Sequence, residues 1–149
     1  AGATLNQNFI EAGGGNDSIS LNLDGGSVDA TTLQGGQGND SIHFVVTGAT
    51  EFDSSFVLGG GGNDIITGDF AALSGSTIAG GGGNDTIELS VVGTTTNSTF
   101  YTDSLNELTQ YDGDDQLSAD FTGAISGSTF QMGGGNDSLS FDFVAAGGG

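Results

Sequence analysis

One string of residues recurs along this chain and leaves few folds open to it. GGGND ends at Asp17, GGQGND at Asp40, GGGGND at Asp64 and again at Asp85, and GGGND at Asp137. A sixth, altered copy, Tyr111-Asp112-Gly113-Asp114-Asp115, keeps the last glycine and the final acid. The closing aspartates are 23, 24, 21, 30 and 22 residues apart. A near-constant period of this length marks stacked supersecondary units rather than a single irregular core.

Counting outward from each aspartate shows what the units are. Two residues on stand Ile19, Ile42, Ile66, Ile87, Leu117 and Leu139. Four on stand Leu21, Phe44, Gly68, Leu89, Ala119 and Phe141; six on stand Leu23, Val46, Phe70, Val91, Phe121 and Phe143. The residues between are mostly Ser, Thr, Asn, Asp or Glu, which is the period of two of a strand buried on one face. Seven residues before the aspartates lie Ile10, Leu33, Val57, Ile78, Leu108 and Phe130; nine before lie Asn8, Thr31, Ser55, Ser76, Asn106 and Ser128, small polar residues able to ladder. Each unit therefore reads as strand, glycine turn, strand and a second turn of variable length. No unit can bury its own apolar face, but stacked units can. The expected fold is all-β, a parallel β-solenoid of the β-roll kind, with about six coils and one glycine turn per coil. It forms a single domain over residues 1–149, with half-coils at both ends. Segment 92–105 is expected to be the longest second turn, a loop insertion in which Phe100 and Tyr101 cover a neighbouring coil.

Charge narrows the chemistry. Nineteen Asp and Glu face no Lys or Arg, a net charge of −19. A chain without basic residues has nothing with which to track nucleic-acid phosphates or anionic lipid, so no nucleic-acid partner is expected. There is no cysteine, and no apolar run of membrane-spanning length, so no membrane insertion is expected. Six carboxylates stacked at the strand spacing would repel one another by about 3 kcal/mol per neighbouring pair at an effective dielectric near 20. A cation between the turns reverses that sign. Glycine lets the turn curl its carbonyls inward, and successive turns would give some six oxygens from carbonyls and aspartates. Hard oxygen ligands in a loose, high-coordination shell suit calcium; magnesium needs stricter octahedral placement and zinc prefers His or Cys. Ordinary turn formation by Asn, Asp and Gly is the plainer reading of the same string, and it leaves the repulsion unanswered.

GGxGNDxI resembles the calcium-binding repeat of the RTX (repeats-in-toxin) proteins, whose signature GGxGxDxUx builds a parallel β-roll. The resemblance runs through five good copies and one altered copy. It implies Ca²⁺, about one ion per coil, shared between successive turns. The implied ligands are Asp17, Asp40, Asp64, Asp85, Asp115 and Asp137. Carbonyls would come from Gly13, Gly15, Gly36, Gly38, Gly60, Gly62, Gly81, Gly83, Gly113, Gly133 and Gly135. Here the motif occurs once per coil of about 23 residues rather than as a nonapeptide repeat. That is similar to the single-calcium-row variants of large bacterial surface proteins, some of them ice-binding. Asp112 and Asp114 replace motif residues and leave the site at Asp115 open. The resemblance further implies an extracellular or cell-surface protein of a Gram-negative bacterium, folding only where calcium is abundant.

No catalytic constellation is visible, so the expectation is no enzyme and no small-molecule substrate. His43 falls at an outward position without an aligned partner. Neither end of the sequence offers a polar cap, and joining the last residues of one copy to the first of another makes a connection of the same length as the internal ones. The expected partner is the chain itself, as a head-to-tail homopolymer rising about 29 Å per six-coil copy. The alternatives are a calcium-stabilised module of a larger secreted adhesin or S-layer protein, an ice-binding module, and a curli-like functional amyloid without metal.

Overall fold

The computed structural model describes residues 2–48, 51–103 and 113–144. Among these, the chain forms three parallel sheets of six strands each and no helix. The first sheet is built from Thr4–Asn6, Ser27–Asp29, Phe52–Asp53, Leu73–Ser74, Thr95–Thr96 and Ile125–Ser126. The second contains Phe9–Gly14, Thr32–Gln37, Phe56–Gly61, Thr77–Gly82, Thr99–Asp103 and Thr129–Gln131. The third contains Ser18–Asp24, Ser41–Thr47, Ile65–Phe70, Thr86–Val91, Gln116–Phe121 and Ser138–Phe143. The chain visits the three sheets in turn, and each strand pairs with its counterpart one coil away. This is a parallel β-solenoid of six turns.

The apolar columns read from the aspartates are the register of the third sheet. Ile19, Ile42, Ile66, Ile87, Leu117 and Leu139 are successive partners, as are the residues two and four places further on. Gly68 breaks its column for a packing reason: a Cβ there would strike the ring of Phe70, which fills the space. Phe44, Phe52 and Phe70 meet with ring centroids 5.2–5.9 Å apart, joining the first sheet to the third.

Three expectations need correction. The second turn is not a plain connection; its middle is the first sheet, whose column Leu5, Val28, Phe52, Leu73, Thr95, Ile125 faces the core. The first coil is not a half-coil either, because Thr4–Asn6 supplies its first-sheet strand. Residues 92–105 do not form a loop insertion through residue 103. Thr95–Thr96 and Thr99–Asp103 are strands in register, and Phe100 is fully buried between Ile78 and Phe130 rather than draped outside. Phe100 and Ser98 take the places that backward counting gave to Leu108 and Asn106, both of which lie outside the described residues. The extra length is residues 104–112, nine residues where the preceding coil has Gly82 alone.

The small polar column ladders at a corner, not along a strand. The N–H groups of Asn8, Thr31, Ser55, Ser76 and Ser98 each donate to the hydroxyl one coil on, over 3.0–3.4 Å. The residue before each of these five and before Ser128, in order Gln7, Ala30, Ser54, Gly75, Asn97 and Gly127, is left-handed with φ of 47–64°. The buried hydroxyls thus satisfy backbone donors that the corner takes out of the sheets.

Thr95 is the exception in the first-sheet column: fully buried, with a hydroxyl that has no hydrogen-bond partner. Thr95→Val keeps the shape and removes the orphaned group, so it should raise stability by about 1–2 kcal/mol in urea unfolding.

Candidate metal centre

The glycine turns link the second sheet to the third, and their geometry explains their composition. The glycines four and two places before each aspartate, Gly13 and Gly15, Gly36 and Gly38, Gly60 and Gly62, Gly81 and Gly83, Gly133 and Gly135, all have φ of 87–126°. L-residues with side chains rarely adopt such values. Space excludes them as well. A Cβ on Gly36, Gly38, Gly60, Gly62, Gly81, Gly83 or Gly113 would collide with a carbonyl oxygen of the preceding coil. Gly113, which follows residues 104–112, keeps the close approach.

The Asn-Asp pair ties each turn to its neighbours in opposite directions. The N–H of Asp17, Asp40, Asp64, Asp85 and Asp115 donates to Oδ1 of the aspartate one coil on, over 2.7–3.0 Å. The N–H of Asn39, Asn63, Asn84, Asp114 and Asn136 donates to Oδ1 of the Asn or Asp one coil back, over 2.8–3.1 Å. This second ladder was not read from the sequence, although the Asn before Asp in five of the six copies was its signal. Asp114 serves in it because a carboxylate oxygen accepts as an amide oxygen does. Asp115 therefore sits in the same bonding pattern as the other aspartates.

The six predicted aspartates thus form one continuous column. Asp40, Asp64, Asp85, Asp115 and Asp137 accept through Oδ1 in the ladder, and the second oxygen of the first four is left over. Oδ2 of Asp17, Asp40, Asp64, Asp85 and Asp115 is buried and has no hydrogen-bond donor. Asp40, Asp64, Asp85 and Asp115 are 1–3% exposed. At Asp40, Asp64 and Asp85 this oxygen lies against the glycine five places before the aspartate. A Cβ on Gly35 would fall 2.5 Å from Asp40 Oδ2 and 2.6 Å from the Gly59 carbonyl oxygen, and the same pair of oxygens crowds Gly59 and Gly80. A carboxylate oxygen and a carbonyl oxygen thus converge at these three steps with no donor between them. Only a proton or a cation relieves such an arrangement.

The donor set fits a hard cation: carboxylate and carbonyl oxygen, with no thiolate or imidazole in the column. Among the described residues no three acidic or histidine side chains gather as a metal cluster, so a cation here draws on backbone carbonyls as well as carboxylates. The titration of the column carries the same strain. Burial, opposed by the hydrogen bond from Asp64 N–H and reinforced by the charges of Asp64, Asp115 and Asp103, pushes Asp85 up to about 7. Burial also raises Asp64 and Asp115. His43 lies on the outer face, its Nδ1 2.8 Å from the Thr67 hydroxyl.

The family model described as RTX calcium-binding nonapeptide repeat (4 copies) matches residues 6–27, 25–43, 53–71 and 75–89. The chain is an RTX-repeat solenoid. RTX repeats bind calcium and are typical of secreted proteins. The matched stretches contain the turns ending at Asp17, Asp40, Asp64 and Asp85; Ala12 in the first coil, and Thr102 and Met132 in the fifth and sixth, stand where the second to fourth coils have Gly35, Gly59 and Gly80. No curated protein and no solved structure matches the chain. Among the described residues of this RTX solenoid, no helix is long and apolar enough to cross a membrane.

Two outcomes follow from the geometry. Gly59→Ala puts a methyl group into the Asp64 and Gly80 oxygens, and should cost about 1–3 kcal/mol or more in calcium-loaded thermal unfolding, against little change for Gly14→Ser at an open position. The raised aspartates favour the neutral form in the fold, so without cation their contribution is full below the unfolded value near 4 and is lost as pH rises through about 7. Urea midpoints of the calcium-free chain should fall between pH 4.5 and pH 8, and millimolar calcium should abolish that fall.

Proposed function

We propose that this is an extracellular structural protein whose solenoid is closed by calcium along the aspartate column and whose coils stack head to tail into a filament. The observation that carries the reading is the column of buried, donorless Oδ2 atoms. The ligands would be Asp17, Asp40, Asp64, Asp85, Asp115 and Asp137 with carbonyls of the glycine turns, about one ion per coil, shared between neighbours. Calcium supplies positive charge and oxygen coordination there. The chain supplies the preorganised turns: left-handed glycines bring the coils into contact, and the two ladders fix each carboxylate.

Stacking is supported by the edges of the first and last described coils. Their strands pair on one side only, and Leu139 and Phe143, at the last coil, are 45% and 67% exposed. The two edges are also complementary. The ladders run in a fixed direction, so the Asp137 N–H of one copy would meet Asp17 Oδ1 of the next, and that copy's Asn16 N–H would meet Asn136 Oδ1. The same edges suit a second reading, a calcium-stabilised module of a larger adhesin or S-layer protein, in which further coils of one chain cover them.

Electron microscopy of the purified chain in millimolar calcium should show filaments, and chelation should disperse them. A chain that stays monomeric with calcium, while its β-structure still depends on calcium by circular dichroism, overturns the filament and leaves the module. Asp64→Asn should act in two directions, stabilising the calcium-free fold and lowering calcium affinity by about tenfold, as read by equilibrium dialysis. Equal calcium affinity in that variant contradicts the ligand assignment.

A further inference from the structure

The outer face of the second sheet carries an alternation that the aspartate column does not use. The core column of this sheet runs Ile10, Leu33, Val57, Ile78, Phe100 and Phe130, so the residues flanking these face outward. Odd coils present a bulky side chain there: Phe9 in the first, Phe56 with Leu58 in the third, Tyr101 in the fifth. Even coils present Thr32 and Gln34, Thr77 and Ala79, or Thr129 and Gln131. Phe9 and Phe56 stand 65% and 43% exposed in one column, with threonine at its other four places. Ala79, in register between Leu58 and Tyr101, is 2% exposed, so the face is level there.

Charge is kept off this face. Glu11 is the one acid among these outward positions, whereas the outer face of the third sheet carries Asp24, Asp69, Glu88, Asp120 and Asp142, all exposed. Asp103 lies beyond them at the turn, where its Oδ2 accepts the Gly134 N–H over 2.8 Å. With a net charge of −19 and no Lys or Arg, a second copy meets like charge at the third sheet and almost none at the second.

We propose that the outer face of the second sheet pairs with the same face of a second copy, the two solenoid axes antiparallel about a two-fold axis along the strands. That axis sets the first coil opposite the sixth of the other copy, the second opposite the fifth and the third opposite the fourth. Each odd coil then meets an even one. Phe56 lies over Thr77, Leu58 over Ala79 and Phe9 over Thr129, bulky on small, while Glu11 faces Gln131. With the axes parallel and the coils in register, Phe9, Phe56 and Glu11 would each meet themselves. The pairs of Phe56 with Thr77 and Leu58 with Ala79 occur twice about the axis, at the centre, where buried anchors dominate binding. Six strands by about five residues cover about 450 Å² per copy, against about 800 Å² per partner in a standard interface. A single pair is therefore weak, and the contact strengthens as stacked copies extend the face. For that strength the inference rests on the filament reading.

Electron microscopy of the full chain in millimolar calcium should show filaments two solenoids wide whose averaged images lack polarity. Phe56→Ser should narrow them to one solenoid. Thr77→Glu, which keeps both rings and adds an acid at the centre of the face, should do the same. Val92→Ser, at a side chain 67% exposed between the third and first sheets, should leave them paired. All three variants should keep the circular dichroism of the parent. If the chain forms no filament, a dimer in sedimentation equilibrium that Phe56→Ser weakens at least tenfold upholds the pairing and overturns the filament. Single-width or polar filaments in the parent, or pairs that survive both Phe56→Ser and Thr77→Glu, overturn the pairing and leave the filament. A chain that stays monomeric at millimolar concentration overturns both; retention on an insoluble uncharged polysaccharide through Phe9 and Phe56 would then assign the face to that polymer.

Discussion

The structure depends on how it copes with a column of buried carboxylates. Parallel stacking repeats every side chain at the strand spacing of about 4.8 Å, so one aspartate per coil becomes a line of like charges. Asp40, Asp64, Asp85 and Asp115 each have one oxygen engaged by a backbone N–H and one with nothing to accept from. Water does not screen the line, because the four central aspartates are almost wholly covered. The apolar columns on the three inner faces favour stacking, each large side chain contributing about 1.5–3 kcal/mol by burial. The carboxylate line opposes it in every coil. A hard cation bound between the turns would remove that opposition and turn the same line into a clamp.

Glycine is what makes the clamp local. Left-handed backbone and the lack of a Cβ allow each turn to rest on the carbonyls of the one before. The aspartate oxygen and the neighbouring carbonyl can then approach a common point. The Asn ladder and the Asp ladder run in opposite directions along the axis, so each turn is held from both sides. The result is a turn with little freedom to rearrange, ready to bind and poor at tolerating substitution.

Much of this was legible because the motif aspartate is a fixed origin. Every third-sheet column, Gly68 and Ala119 included, came from counting forward from it. Counting backward failed once, at Asp115, because the extra residues lie inside the glycine turn rather than in the second turn. The count landed on Asn106 and Leu108, while Ser98 and Phe100 hold the ladder and the core. The first sheet was missed because its strands are two or three residues long, too short for an alternation to show, and Thr95 breaks its apolar column. The left-handed corner was hidden by its residues: Gln7, Ala30 and Ser54 adopt it beside Gly75 and Gly127, without the glycine that marks such a conformation elsewhere. The Asn ladder was hidden differently, since Asn beside Asp and Gly reads as ordinary turn chemistry.

The most direct test is anomalous diffraction near the calcium absorption edge from crystals grown with calcium. Peaks should lie along the turn column, in contact with Oδ2 of Asp40, Asp64, Asp85 and Asp115. A well-ordered solenoid with those oxygens protonated or hydrated, and no anomalous peak beside them, would contradict the account.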